Sequence, residues 1–486
     1  MSEQVHPPPE SGIPAEDWAQ TPTSVQGAFI AMYQQIRALR EEVAHLREQM
    51  ARNSRNSSQP PSSDGLGTPA VRQKPKGGKQ GGQKGHTGHG RDLLPIEQVD
   101  EVVSHQPAVC TGCGAVLEGE DRQPYRYQVT ELPPVKPHVT EHQVHRLTCR
   151  RCGAQNRGEL PPEVAASQFG PNLVAWVAIL MGVYRLSKRQ VAQLLVDSFG
   201  VDLATGSVIR QQVAVSEALT GPVEEACQYV QAQAVRNVDE TGWPQEERSK
   251  RGWLWVVVTP WVTVFRVALS RAGAVVRELV GSDSCGVVGS DRFSAYNWLP
   301  LGRRQVCWAH LIRDFQKMLE RGGQSALVGE PLHLLGEQIL KLWGRVRDGT
   351  LAREECLIRL PAFQQTVHHF LTEGRGCSHP RTAQTCRNIL AVEAALWTFA
   401  SHAGVEPTNN SAERALRKAV IWRGISHGTH SETGSRFVER ILSVVETCRQ
   451  QERNPLDYIR QAIVAHRLGQ PVPSLLPAVQ VVSCTP

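Results

Sequence analysis

The sequence lacks the features of secreted and membrane proteins. Its first residues, MSEQVHPPPESG, contain neither the basic segment nor the apolar segment of a secretory signal. Its longest apolar stretches, around 174–181 and 254–265, are too short or too interrupted to cross a bilayer, which takes about 20 apolar residues. We therefore expect a soluble intracellular protein.

A disulfide framework is also missing. Of the 12 cysteines, only four occur in two C-x-x-C motifs, and the scattered remainder suits a reducing compartment. The chain has 486 residues, too many for one ordinary domain, so we expect several. Its net charge of +6 is small for this length, so where the basic residues cluster matters more than their number.

Acidic residues are absent between Gly65 and Arg91, where six lysines and arginines lie. The surrounding segment, 51–98, is rich in Gly, Pro and Ser, and we predict a flexible linker because nothing in it can be buried. Its cations are suited to DNA phosphates, although nothing in it could read bases. The alternative is a solvated spacer. The candidate phosphate contacts are Lys74, Lys76, Lys79 and Lys84.

Before this linker, apolar residues recur at alternating spacings of three and four, which is the seam of a coiled coil. These residues are Phe29, Met32, Ile36, Leu39, Val43, Leu46 and Met50. We predict a leucine-zipper-like coiled coil over 25–50 that forms a homodimer, after a disordered tail over 1–24. An amphipathic helix packed on its own chain is the alternative.

Two identical cysteine motifs follow, each with a glycine directly after it. They contain Cys110 and Cys113 in the first, and Cys149 and Cys152 in the second. Each motif offers two thiolates from one tight turn, and four thiolates complete the tetrahedral shell of a structural Zn²⁺. We predict a zinc ribbon over 99–160, with a redox pair or unbound buried thiols as alternatives.

Residues 168–228 are predicted to be helical. Ser187 is a candidate helix N-cap, Gly200 a candidate helix end, and Thr205 or Ser207 the cap of a second helix. Such a pair of helices could be a helix-turn-helix that binds DNA. Generic helical packing fits the pattern equally well. The side chains that would enter a groove are Arg210, Gln211 and Gln212.

Four β-rich runs begin near residue 231, and the second and third are spaced as a hairpin. The fourth follows a predicted helix, so we expect it to be parallel to the first. Asp239 ends the first run and Asp291 ends the fourth. Two carboxylates at one sheet edge repel each other, and hard cations such as Mg²⁺ or Mn²⁺ relieve this repulsion.

The best third acid is Glu413, at a predicted helix start within PTNNSAERALRKAV. From spacing alone, two structural roles compete with metal binding: a capping box with Asn410 and an ion pair with Arg417. Glu240 is a rival of Asp239 for the first position. The cations after the glutamate could contact DNA phosphates, and they include Arg414, Arg417 and Lys418.

A strand leading into a helix, RRQVCWAHLIRDF, carries Cys307 and His310. This C-x-x-H is a weak metal signal because no second pair follows at zinc spacing. His310 and Arg313 could instead face the scissile phosphate. Residues 324–400 read as a helical insertion within a 231–425 core, and 426–486 as a helical tail broken at Pro455.

Taken in order, these pieces resemble the TnpC-type transposases of the insertion-sequence-66 family over nearly the whole chain. The matching motifs are NSRNSSQPPSSD with GGKQGGQKGH, the four-cysteine ribbon, VDETGW, GSDRFSAY, CWAHLIRDF and NNSAERALRKAV, after the zipper. The resemblance implies a multidomain α/β protein with an RNase H-like DDE core, whose acidic triad is Asp239, Asp291 and Glu413. It also implies a bacterial, cytoplasmic, nucleoid-associated enzyme, and leaves open whether accessory proteins of the same element are required.

The implied chemistry is two-metal phosphoryl transfer, in which water cleaves the element end and the freed 3′-OH attacks target DNA. Two alternatives remain at this stage. The chain could be a DNA-binding protein whose RNase H-like core is silent, or a nuclease that resolves branched DNA. After the glutamate, WRGISHGTHSETGSRF lacks the aromatic-rich stretch usual in the family, which leaves the packing of the tail open.

Overall fold

The computed structural model describes residues 14–51, 92–245, 251–282 and 286–478. The candidate phosphate contacts of the linker, 74–84, lie outside these residues. The helices are α1 (Ala15–Gln20), α2 (Thr23–Ala51), α3 (Pro162–Ala165), α4 (Pro171–Gly182), α5 (Lys188–Phe199), α6 (Thr205–Ala218), α7 (Thr220–Gln231), α8 (Gly273–Val280), α9 (Trp308–Glu320), α10 (Gly323–Arg347), α11 (Arg353–Gly374), α12 (Pro380–Leu390), α13 (Thr398–Ser401), α14 (Asn410–Ser426), α15 (Glu432–Gln450) and α16 (Pro455–Arg467). The strands are β1 (Arg146–Thr148), β2 (Gln155–Arg157), β3 (Val235–Pro244), β4 (Arg251–Val258), β5 (Thr263–Ala268), β6 (Val287–Ser290) and β7 (Arg304–Val306). No helix among the described residues combines the length and the apolarity needed to cross a membrane.

Part of the predicted disordered tail is helical. Helix α1 lies within 1–24, and its Trp18 is buried and packs edge-on against Phe29 of α2, with ring centroids 5.8 Å apart. Helix α2 spans the predicted zipper and leaves Met32, Ile36 and Leu39 exposed along one stripe. No other residue of the described ranges covers these side chains, and the partner helix stays a prediction.

The ribbon segment, 92–160, is built without a hydrophobic core. None of its residues is buried, and its regular structure includes the antiparallel pair β1 and β2. Each cysteine motif forms a tight turn, closed by the N–H of Gly114 on the Cys110 carbonyl and the N–H of Gly153 on the Cys149 carbonyl. Both glycines adopt positive φ, of 75° and 73°, which explains the glycine after each motif.

Helices α5 and α6 occupy the predicted helix-turn-helix. Ser187 caps α5 in a capping box with Gln190, and Gly200 ends it in the left-handed conformation, both as expected. The cap predicted for α6 is wrong, because its N-cap is Ala204, without a side-chain hydrogen bond.

Helix α6 packs in the interior of the helical region. It contacts α4, α5, α15 and α16. Gln211 and Gln212 are buried and are not available to a DNA groove in this structure, whereas DNA binding by the helix pair stays a prediction. Arg210 is exposed, and its guanidinium donates to the Ser207 hydroxyl one turn earlier.

The central sheet has the order β5-β4-β3-β6-β7. As predicted, β4 and β5 form an antiparallel hairpin, and β6, which follows α8, is parallel to β3. Strand β4 also pairs antiparallel with β3, and β7 pairs parallel with β6. Valine and tryptophan fill this sheet because both of its faces are covered, as the burial of Val256, Val257 and Trp255 shows.

Helix α15 covers the edge of the sheet at β5 with its own polar side chains. The backbone N–H groups of Thr263 and Phe265 donate to the hydroxyls of Thr447 and Ser443, at 3.0 and 2.9 Å. The next outward N–H, of Val267, donates to the Glu439 carboxylate. Acceptors spaced four residues apart on one helix face thus meet donors spaced two apart on the strand, and the edge is closed.

The helices from α10 to α13 lie in the predicted insertion and form a second core with α9. They also cover the other sheet edge, at β7. The Gln305 side chain accepts from the N–H of Phe399 and donates to the Leu396 carbonyl, and the Thr398 hydroxyl donates to the Arg304 carbonyl. The insertion therefore covers the β7 edge of the sheet, next to the start of α9.

Candidate active site

Asp239 lies on β3, and Asp291 directly follows the neighbouring parallel strand β6. The last registered pair between β3 and β6 joins Asn237 to Gly289. Continued two residues further, past the end of β6, the same register leads to Asp239 and Asp291, and repulsion from Asp291 contributes to the raised pKa of Asp239. Their use as shared metal ligands stays a prediction.

One detail of that prediction is wrong: Asp239 lies in the middle of its strand. Strand β3 continues to Pro244 because β4 goes on pairing with it beyond Asp239. The pairing of β3 with β6 ends at Asn237, two residues before Asp239. Strand β6 itself ends at Ser290, one residue before Asp291.

Asp239 and Glu240 are adjacent on β3, so their side chains point to opposite faces of the sheet. Asn237 donates to Ser411 of α14 and Thr241 accepts from Arg423 of α14, so this set of side chains, with Asp239 between them, faces α14. Glu240 points to the opposite face.

On that opposite face Glu240 already has partners. Its carboxylate accepts from the Tyr296 hydroxyl at 2.7 Å and pairs with Arg271 at 2.7 Å. It is buried by these contacts and acts as a structural acid under the sheet. Because Asp239 faces α14 and Glu240 is already paired on the opposite face of the sheet, Asp239 is the better candidate for the first position of the acidic triad.

Glu413 stands on the first turn of α14, beside residues of α9. Its Oε1 lies 3.3 Å from the Arg313 guanidinium and 3.4 Å from Nδ1 of His310. The N-cap of α14 is Asn409, which makes no side-chain capping bond, so the capping box with Asn410 is not formed. Glu413 therefore serves neither structural role that spacing allowed, since its ionic partner is Arg313 and not Arg417.

The starts of α9 and α14 are tied to each other. The Asn409 N–H donates to Sγ of Cys307 at 3.2 Å, and the Trp308 N–H donates to the Pro407 carbonyl at 2.9 Å. The Asn409 amide in turn donates to the Val238 carbonyl of β3 at 2.8 Å. Sequence reasoning missed Asn409, whose position is evident only when three distant segments meet.

Several groups of the site have shifted pKa values. Burial, with repulsion from Glu240, Asp291 and Glu413, raises the pKa of Asp239 well above its usual value. Burial raises the pKa of the Cys307 thiol to about 11. Burial and the Arg313 charge lower the pKa of His310. The site thus brings several acidic side chains near Asp239, and no cation of the described residues is among the main influences on the pKa of that carboxyl.

Two kinds of metal donors occur in this region, although Asp239, Asp291 and Glu413 do not form a group of three ligand atoms within 4.8 Å of one another in the described structure. The oxygens of Asp239, Asp291 and Glu413 are hard donors that suit Mg²⁺ or Mn²⁺. Separately, ligand atoms of Cys307, His310 and Glu413 all lie within 4.8 Å of one another, the only such group of three in the described part of the chain. The described structure therefore does not gather the four ribbon cysteines into one cluster.

Within each ribbon turn, however, the first thiol is prepared for metal binding. Backbone N–H groups, that of Gly112 first, lower the pKa of Cys110, and those of Cys152 and Arg151 lower that of Cys149. A thiolate is the form that binds a metal ion.

The cations predicted to contact DNA are in different situations. Arg414 and Arg417 are exposed on α14. Lys418 pairs instead with Glu446 of α15, at 2.6 Å. Arg313 is occupied with Glu413. Free exposed charge near the site is thus concentrated on the first two turns of α14.

Known protein families match three parts of the chain. Residues 166–437, more than half of the sequence, match the family described as Transposase IS66 family. Residues 107–153 match the zinc-finger binding domain of transposase IS66, and residues 6–92 match a family of unknown function. The four ribbon cysteines and the candidate active site thus fall within matched segments.

Two relatives from Sinorhizobium fredii (strain NBRC 101917 / NGR234) align along most of the chain. The one named uncharacterized protein y4qI is 24% identical over 405 residues, which cover 77% of this chain and 74% of the relative. The one named uncharacterized protein y4hP is 24% identical over 413 residues, covering 77% and 73%.

Proposed function

Because the chain belongs to the transposase IS66 family, we propose that it cleaves the ends of its insertion sequence and joins their 3′-OH groups to target DNA. The catalytic residues in this proposal are Asp239, Asp291 and Glu413. The core is RNase H-like, with 324–400 as the helical insertion before the glutamate.

The observation that carries the proposal is the register of β3 and β6. Asp239 lies on β3, Asp291 directly follows the parallel strand β6, and α14, which carries Glu413 on its first turn, packs against β3; this arrangement supports the proposal. Burial, together with repulsion from Glu240, Asp291 and Glu413, raises the pKa of Asp239, and a site of this kind favours a divalent cation with oxygen ligands. The donor set thus fits Mg²⁺ or Mn²⁺.

In the proposed reaction, Asp239 and Asp291 hold the ions and Glu413 completes their ligands. When bound, two such ions lower the pKa of the attacking water and offset the charge on the leaving oxygen. Arg414 and Arg417, exposed beside Glu413, bind the DNA phosphates that flank the scissile bond. His310 and Arg313 fix the Glu413 side chain between reaction cycles.

Outside the core, we propose that Cys110, Cys113, Cys149 and Cys152 are the ligands of the zinc-finger domain. The lowered thiol pKa values support this assignment. We further propose that the exposed stripe of α2 pairs with the same stripe of a second copy, since Met32, Ile36 and Leu39 follow the heptad seam. The dimer would bring two element ends together.

The test is Mn²⁺-dependent nicking of DNA that carries the element ends. We expect Asp239→Asn, Asp291→Asn and Glu413→Gln each to lower the rate at least about 1000-fold, equivalent to about 4 kcal/mol of transition-state stabilisation. The control is Asp348→Asn, the same change at an exposed turn after α10, which should cleave like the wild type. Full cleavage by all three site variants would refute the proposal.

The competing function is that of a DNA-binding protein with a silent core. It predicts that the wild type binds element ends but does not nick them with either Mg²⁺ or Mn²⁺. A third function, resolution of branched DNA, predicts faster cleavage of four-way junctions than of terminal repeats.

A further inference from the structure

Cys307 and His310 form a compact group with Glu413, and the proposed transposition chemistry uses neither the thiol nor the imidazole as a metal ligand. Their ligand atoms lie within 4.8 Å of one another. Nδ1 of His310 is buried and makes no hydrogen bond in the described structure, although it lies 3.4 Å from Glu413 Oε1. An unsatisfied buried nitrogen that points at a carboxylate and a thiol is arranged as a ligand set.

We propose that these residues form a second metal site in the core, which binds Zn²⁺ or a similarly soft divalent ion. Thiolate and imidazole ligands select such ions over Mg²⁺, and three protein ligands leave one tetrahedral position for water. Binding breaks the S–H bond of Cys307, and its proton goes to solvent while the sulfur binds the metal.

The fold already holds the ligands in place. Cys307 is the N-cap residue of α9 and its sulfur accepts the N–H of Asn409, while His310 follows it by one turn. Glu413 follows Asn409 by one turn of α14. Since both helix starts are tied together at Trp308 and Pro407, the metal would bind without a rearrangement of the backbone.

Glu413 belongs to both donor sets, which gives the site a consequence for activity. The compact group contains Glu413 but neither aspartate. An ion bound to Cys307 and His310 would therefore retain Glu413 near α9 and compete with its use beside Asp239 and Asp291. This consequence, unlike the site itself, rests on the proposed function.

The test of the site is a Co²⁺ titration of the full chain, stripped of metal, with thiolate-to-cobalt charge-transfer absorption as the signal. Cys307→Ser keeps an acceptor for the Asn409 N–H and should bind one equivalent fewer than the wild type. The ribbon cysteines contribute equally in both proteins. Cys356→Ser, the same change at a buried cysteine of α11, is the control and should match the wild type.

Two further variants keep the test decisive. His310→Gln removes a different ligand, and we expect it to weaken cobalt binding at this site at least about 100-fold, more than the loss of an outer partner. Arg313→Gln removes the cation 3.3 Å from Glu413 and should tighten binding. Equal stoichiometry and affinity in the wild type, Cys307→Ser and His310→Gln would overturn the site.

The competition is tested separately, by nicking in Mg²⁺ with increasing Zn²⁺. Each protein is compared with its own rate in the absence of added zinc. We expect zinc to slow the wild type and Cys356→Ser but not Cys307→Ser. Equal slowing of all three would overturn the competition, whereas absence of nicking without zinc would refute the proposed function and leave the cobalt result standing.

Discussion

The ribbon segment and the central sheet offer metal ligands in opposite ways. In 92–160 no residue is buried, and the cysteines stand on tight turns closed by a few backbone hydrogen bonds. In the sheet, Asp239 is fixed by a strand whose neighbours on both sides are paired and buried. The comparison teaches that a segment without a buried core depends on its ligands for order, so we expect the ribbon to need Zn²⁺ to fold, whereas the sheet has a core of its own and the proposed metals would only relieve repulsion.

Removal of zinc should have the largest effect. Structural zinc contributes about 10–16 kcal/mol in small zinc modules, and the ribbon has no core that could replace it. In Cys110→Ser with Cys149→Ser, we expect limited proteolysis to cut within 107–153 at least about 100-fold faster, with residues 166–478 intact. Mass spectrometry identifies the cuts. Cys227→Ser is the control, and a ribbon that stays resistant would break the comparison.

A matched pair of leucines should show the next largest difference. Leu254 of β4 is fully buried, whereas Leu147 of β1 is 72% exposed. We expect Leu254→Ala to lower the free energy of unfolding by about 2–5 kcal/mol, because it leaves a cavity. Leu147→Ala should stay within about 0.5 kcal/mol in zinc-loaded protein. Urea denaturation measures both, and similar losses would mean that the ribbon has a core of its own.

The polar edge of the sheet predicts a smaller effect at Thr447. Its hydroxyl accepts the Thr263 N–H and donates to the Thr263 carbonyl, both at 3.0 Å. Thr447→Val keeps the shape and leaves both backbone groups unsatisfied, so it should cost about 1–3 kcal/mol. Thr447→Ser retains the hydroxyl and should lose only the part due to one methyl, about 0.8 kcal/mol. Equal losses in urea denaturation would contradict edge closure by α15.

The smallest effect is expected for Asp239→Asn, which should raise the stability of the protein where the other substitutions lower it. Its pKa is raised in the fold, so the folded state binds a proton more tightly and stability falls as pH rises from 3.8 through the raised pKa. In zinc-loaded protein without Mg²⁺ or Mn²⁺, Asp239→Asn should therefore be more stable at neutral pH. A gain of about 1 kcal/mol corresponds to roughly 2–4 °C in Tm.

That gain should shrink as the pH is lowered, because the wild-type carboxyl then becomes protonated. Asp202→Asn, at an exposed position between α5 and α6, is the control and should leave Tm unchanged. A lower Tm for Asp239→Asn at neutral pH would show that the carboxylate has a stabilising partner within the protein.

Local sequence patterns predicted the parts of the fold that depend on local chemistry. The hairpin, the parallel fourth strand, the cap at Ser187 and the glycines of the cysteine turns follow from neighbouring residues. The family, too, could be identified from motifs in their order. Spacing alone left Glu413 between structural and functional roles.

Contacts between distant segments could not be predicted in this way. The closure of β5 by Ser443 and Thr447 joins residues more than 170 positions apart, and Gln211 is buried on a helix that packs against helices from distant parts of the chain. The proximity of Cys307 and Glu413 likewise depends on the insertion between them, which brings the start of α14 back beside the start of α9. Polar residues in such contacts look like surface residues in the sequence.

The most direct measurement is a crystal structure of the full chain with Mn²⁺ and element-end DNA, in which anomalous scattering locates the ions. The account predicts manganese between Asp239 and Asp291, with Glu413 turned from His310 and Arg313 to join them. Manganese absent from the two aspartates, or bound there with Glu413 still paired to Arg313, would contradict it.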